Sequence, residues 1–243
     1  MKRISTCLRF QTKNMIISII YFTVIYFLVS IGLLCIPLLS GGDITTNSFS
    51  SGFIIGAVFF AFVYVIADYR QSFNYLMING NTRKTIFVSS SLSNIVLSFI
   101  LTFLTFIFDI TDSLINRMLA GDSNTTVNLL QIIYPGCSKA SVLLFCTAML
   151  IALTAFSMLY GALAYKFGKY FIILFWVGFG LVFLALPFSA KSLDIIKLIE
   201  TVLFIGKPNG ILLAPISFIT AAVLFGTVTY LIAKRQPQTA PVQ

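Results

Sequence analysis

The chain has 243 residues, 58% of them hydrophobic and 9% charged, with a net charge of +9 and no histidine. That composition excludes a soluble globular core, and the missing histidine removes a principal ligand for zinc or haem. The basic residues do not gather into one stripe, so the positive charge is not a nucleic-acid footprint.

A hydrocarbon core about 30 Å thick takes roughly 20 apolar residues of helix to cross. Apolar runs fall at Met15–Leu39, Gly52–Ala67, Ile86–Phe108, Ala140–Tyr165, Tyr170–Phe188 and Ile211–Ala233, and none contains Asp, Glu, Lys or Arg. The second run is short, so its helix is expected to begin upstream, near Phe49. Strand alternation is absent, which favours a helical bundle over a barrel. The expected fold is an all-α integral membrane protein with about six transmembrane helices, forming a single domain over residues 1–243. Residues 1–14 read as a basic, interfacial amphipathic segment. The apolar run after it is too long for a signal peptide and lacks a small-residue cleavage site, so it reads as a retained first span.

Lys and Arg near span ends favour the cytoplasmic face. One set of connections holds Lys2, Arg3, Arg9, Lys13, Arg70, Arg83, Lys84, Lys166, Lys169, Lys234 and Arg235; the other holds only Arg117, Lys139, Lys191, Lys197 and Lys207. Six of the seven acids, Asp43, Asp109, Asp112, Asp122, Asp194 and Glu200, fall with the second set. Both termini are therefore expected in the cytoplasm, with residues 109–139 and 189–210 outside and 236–243 a short tail.

Spans without ionisable groups disfavour ion-coupled carriers, which use intramembrane Asp, Glu or His. They likewise disfavour intramembrane enzymes, so no catalytic residue and no metal site is expected. Ser98, Thr102, Thr105 and Thr154 suit bonds back to helix carbonyls or across helices. Cys7, Cys35, Cys137 and Cys146 form no Cys-x-x-Cys pair and read as small buried side chains. Gly52-x-x-x-Gly56 permits close helix approach, within the subunit or at a dimer seam.

The connection after the second span is the most structured. Asp68 can cap a helix start, and Tyr69, Phe73, Leu76 and Met77 recur at helical spacing to make one apolar face. Gly80-Asn81 supplies left-handed positions that end a helix, and Arg83-Lys84 anchors the next span at the inner surface. Residues 69–84 thus read as a short helix that either lies on the lipid surface or is presented to a soluble partner.

The stretch Phe73-Asn74-Tyr75-Leu76-Met77-Ile78-Asn79-Gly80-Asn81-Thr82-Arg83-Lys84-Thr85-Ile86-Phe87 resembles the Phe-Asn-x-Leu…Gly-x-(Ser/Thr)-Arg-Lys-x-x-Phe segment of small permease subunits of type-2 ATP-binding-cassette (ABC) exporters from Gram-positive bacteria. About fifteen residues carry the motif, while the six-span plan is similar over the whole chain. The long outer connection 109–139 departs from it. The resemblance implies a cytoplasmic coupling helix between spans 2 and 3, with Tyr69, Arg70, Phe73, Leu76, Met77, Gly80, Asn81, Arg83 and Lys84 contacting an ABC ATPase. It also implies a second permease subunit, identical or different, a lipid environment and a multi-pass place in the bacterial cell membrane. Leu39-Ser40-Gly41-Gly42-Asp43 imitates the ATPase signature but lacks its Gln, and the chain has no Gly-x-x-x-x-Gly-Lys-(Ser/Thr) loop. No cofactor is expected on this chain; ATP and Mg belong on the partner ATPase. The expected function is an export path for a hydrophobic or amphipathic cargo: an antimicrobial or toxin peptide, a drug or a lipid. The alternative is a membrane immunity or interaction protein that binds a peptide or partner without ATP-driven transport.

Overall fold

The computed structural model describes residues 2–40, 49–120, 134, 137–185, 201, 203–205 and 210–235. Its six long helices are α1 (Lys2–Ser40), α2 (Phe49–Ile78), α3 (Arg83–Ala120), α4 (Lys139–Phe167), α5 (Lys169–Ala185) and α6 (Gly210–Lys234), and no strand occurs among the described residues. Five of them, all but α5, are long and apolar enough to cross a membrane. Five of the six expected spans are thus seen among the described residues; the described part of α5 has 17 residues, a rise of about 26 Å against a core of about 30 Å. The end of the expected fifth span, 186–188, lies outside the described residues.

Helix ends differ from the hydropathy boundaries for physical reasons. No glycine or proline interrupts Lys2–Ile31, so residues 2–14 of the amino-terminal segment are not separate but continue into one 39-residue helix. Its Cys7, Gln11, Met15 and Ile19, each four residues apart, are buried, and Gln11 and Met15 meet Ser90 and Ser93 of α3. Helix α2 does begin at Phe49, as its short apolar run implied. It also continues unbroken to Ile78, so residues 69–78 are its last turns and not a separate helix. Asp68 therefore lies inside a helix and caps nothing; its carboxylate accepts a hydrogen bond from Ser72 Oγ at 2.8 Å. Helix α3 runs to Ala120, which makes the start of the expected outer segment 109–139 helical. Most of 189–210 and all of 236–243 lie outside the described residues.

Helix α4 is central, touching α2, α3, α5 and α6, with α6 its most extensive neighbour. The α2–α4 approach is close at Gly161, where an added methyl would sit 3.1 Å from Tyr69 Cβ. Phe145 meets Phe218 edge to face at 5.4 Å between α4 and α6. The Gly52 and Gly56 pair faces α1, where added methyls would lie 2.8 Å from Tyr26 Oη and 3.4 Å from Phe22 Cζ. That motif therefore packs helices within the subunit. The hydroxyls behave as their positions suggest: Ser98, Thr102 and Thr105 donate to carbonyls four residues back, and Thr154 to one three residues back. Apolar side chains such as Ile20 and Leu28 on α1, Phe99 and Phe103 on α3 and Val223 and Leu224 on α6 point outward, which suits a lipid-facing surface.

Alternating helix direction sorts the ends of the bundle. The start of α1, the end of α2, the start of α3 and the end of α6 meet at one end, through Gln11–Ser90, Phe10–Tyr75 and Arg83–Lys234. All eleven basic residues of the larger set belong to this end. The opposite end holds Asp109 and Asp112 of α3 and the start of α4, where Lys139 Nζ pairs with Asp109 Oδ2 at 3.3 Å. There, Tyr134 donates its hydroxyl to the Leu203 carbonyl at 2.5 Å, and burial pushes that hydroxyl above its ordinary pKa. Gly210 is required at this corner, because any Cβ would collide with the Phe204 carbonyl oxygen.

Candidate site at the basic end of the bundle

The turn after α2 closes by a defined chemistry. Gly80 adopts φ +73°, a conformation that other residues rarely hold. Its N–H donates to the Met77 carbonyl at 3.0 Å, and the Asn81 N–H donates to the Leu76 carbonyl at 3.1 Å. These two bonds form a Schellman ending with Gly80 just past the helix. Only Gly80 takes the left-handed conformation; Asn81 contributes its side-chain amide, which donates to the Leu76 carbonyl at 3.1 Å. Thr82 then caps α3, its Oγ1 accepting from the Thr85 N–H at 3.3 Å.

The nine residues singled out in the sequence divide into two groups. Tyr69, Phe73 and Leu76 are buried, with Phe73 only 2% exposed. Phe73 stacks on Tyr69 at 5.6 Å and meets Tyr165 edge to face at 5.2 Å. The apolar face read as a docking surface is therefore covered by α4 and by the protein's own core. Met77 is half-buried against the same core. Arg70, Gly80 and Lys84 are exposed and Asn81 is half-buried. Arg83 reaches across the end of the bundle, donating from Nη1 to the Lys234 carbonyl at 2.7 Å. A cation at a helix carboxyl terminus is favourably placed, so Arg83 ties α3 to α6 in addition to any contact with the membrane surface.

Several residues of this end escaped the sequence reading. Ile78, in the last turn of α2, is 83% exposed, and Tyr75 is 52% exposed while stacking on Phe10 of α1 at 4.7 Å. Tyr165 donates its hydroxyl to Asn74 Oδ1 at 2.6 Å. Between α1 and the end of α2 lies an open groove of about 560 Å³, lined by Thr6, Cys7, Phe10, Tyr75, Leu76 and the Asn79–Asn81 turn. An isoleucine beside Asn79-Gly80 was a legible signal, since an apolar residue in a polar helix ending serves no purpose in the turn. The Asn74–Tyr165 pair, 91 residues apart, left no mark in local pattern.

Among the described residues no cluster of three His, Cys, Asp or Glu side chains could hold a metal ion. The outward groups of this end include exposed apolar tips, Tyr75 and Ile78, beside the exposed basic residues Arg70 and Lys84. No protein-family model, no curated protein and no solved structure matches the chain.

Proposed function

We propose that this chain is the membrane-spanning subunit of an ABC exporter, resident in a bacterial cell membrane with the basic end of its bundle in the cytoplasm. Paired with a second permease subunit, it forms the path for a hydrophobic or amphipathic cargo, and a separate ATPase docks on the end of α2. One observation carries this reading: the projecting tip of α2. Arg70 marks the end of the apolar run, and Ile78 follows eight residues later, about 12 Å farther along the axis. In this reading the side chain of Ile78, 83% exposed, projects beyond the membrane towards the ATPase. Arg70 and Lys84 are exposed at the same end of the bundle, and apolar anchors accompanied by arginine or lysine suit a protein partner.

The docking face in this reading is Arg70, Tyr75, Ile78, Asn79 and Lys84, with Tyr69, Phe73 and Leu76 holding it in place from behind. The test is co-purification of the tagged chain with the ABC ATPase encoded nearest to it. Ile78→Asp should weaken capture about 30-fold, the effect of losing one central anchor worth about 2 kcal/mol. The chain purified alone should hydrolyse no ATP. Undiminished capture by Ile78→Asp combined with Tyr75→Ala would remove the α2 tip as the dock. Cargo resistance in cells lacking any ATPase partner would favour the alternative, a membrane protein that binds a peptide without ATP-driven transport.

A further inference from the structure

We infer, on the strength of the transporter reading above, that Tyr165 is the positioning residue that carries displacement of the α2 tip into α4. Three contacts fasten the last turns of α2 to the last turns of α4. Tyr69 lies against Gly161 so closely that a methyl there would come within 3.1 Å of its Cβ. Phe73 meets the Tyr165 ring edge to face at 5.2 Å. The Tyr165 hydroxyl donates to Asn74 Oδ1 at 2.6 Å.

The spacing makes these contacts one device. Residues 69 and 73 are one turn apart on α2, as are 161 and 165 on α4, so the two helices are matched over the same length. Asn74 is next to Tyr75 and one turn before Ile78, which places the directional bond closest to the exposed tip. Packing contacts resist compression, and the hydrogen bond adds a directional restraint on the axial register of α2 against α4. Because α4 also touches α3, α5 and α6, a push that reaches it is distributed to the bundle.

Tyr165→Phe removes the bond and keeps the ring on Phe73. The chain and its ATPase, reconstituted in vesicles of phosphatidylglycerol and cardiolipin, give two readings: ATPase captured per chain, and ATP hydrolysed per captured ATPase relative to the ATPase alone. In Tyr165→Phe, capture should stay within about twofold of the unsubstituted chain, while the stimulation of hydrolysis falls about fivefold, the weight of one hydrogen bond. Asn74→Leu should do the same, and the two changes together should do no more than either. Asn74→Asp, which keeps an acceptor oxygen, should restore stimulation. A merely structural role would lower folded protein and capture together and leave hydrolysis per captured ATPase unchanged; that result overturns the proposal. Normal stimulation in Tyr165→Phe with normal capture also overturns it, while leaving the transporter reading intact. Failure of the unsubstituted chain to capture any ABC ATPase removes the transporter reading, and this role of Tyr165 with it.

Discussion

Phe73→Ala separates a docking residue from a supporting one. The side chain is 2% exposed and holds ring contacts to Tyr69 and Tyr165. Each aromatic pair contributes about 0.5–1.5 kcal/mol beyond area burial, and emptying a buried phenylalanine site costs about 3–5 kcal/mol in water-soluble cores. Phe73 lies three residues beyond Arg70, at the rim of the bundle, so the lower end of that range applies: about 3 kcal/mol. For a bundle of this length that corresponds to a fall in Tm of roughly 6–12 °C. With the other cysteines replaced by serine, the buried thiol of Cys146 provides the assay, since a thiol-reactive dye in detergent labels it only as the bundle opens. Ile78→Ala, in the same helix but exposed, should melt within about 0.5 kcal/mol of the unsubstituted protein. Should Phe73→Ala melt with the unsubstituted protein, the packing of α2 on α4 described above is wrong. Otherwise, lost ATPase capture in a Phe73 or Leu76 variant reports on folding, and the proposed docking is tested at outward residues such as Ile78 and Tyr75.

Two further outcomes follow from the same geometry. With native cysteines replaced by serine, a single cysteine at Asn81 or Arg235 should be shielded from impermeant reagents in intact cells and one at Lys139 accessible; labelling of Asn81 from outside reverses the proposed orientation. Gly161→Val should cost about 1–3 kcal/mol by overpacking, because the neighbouring atom is Tyr69 Cβ, which cannot swing away as a side-chain tip can; an unchanged thermal midpoint would contradict the α2–α4 contact.

What the sequence made legible was whatever depends on a residue and its near neighbours. Apolar run length located the helices, the short second run implied the start at Phe49, and Gly80 marked the end of α2. The Gly52-x-x-x-Gly56 spacing found its partner in α1, one of the two alternatives it allowed. What escaped depends on which surface covers which. Periodicity placed Tyr69, Phe73 and Leu76 on one face, but an amphipathic face is the same whether a partner, the lipid or α4 lies against it. Without a breaker before Gly32, α1 could not be divided at residue 14, and Gln11 went with it into the α3 interface. Asp112, assigned to an outer loop by its charge, lies buried in α3, because the helix outruns the apolar segment by several turns.

Burial also decides which residue is left to explain. In a Schellman ending, the apolar contact that closes the turn ordinarily joins the third residue from the helix end to the second residue beyond it; here those are Leu76 and Asn81, and Leu76 is satisfied by the core. Ile78 takes no part in that contact. Exposing an isoleucine to water forgoes about 1.5–3 kcal/mol of available burial, and a lysine or glutamine would continue the helix equally well. Neither the helix, the turn nor the packing of α2 on α4 calls for an apolar side chain at this position. The proposed ATPase surface would cover it, so the proposal of function is tested at Ile78 and Tyr75 and not at the buried face one turn before them.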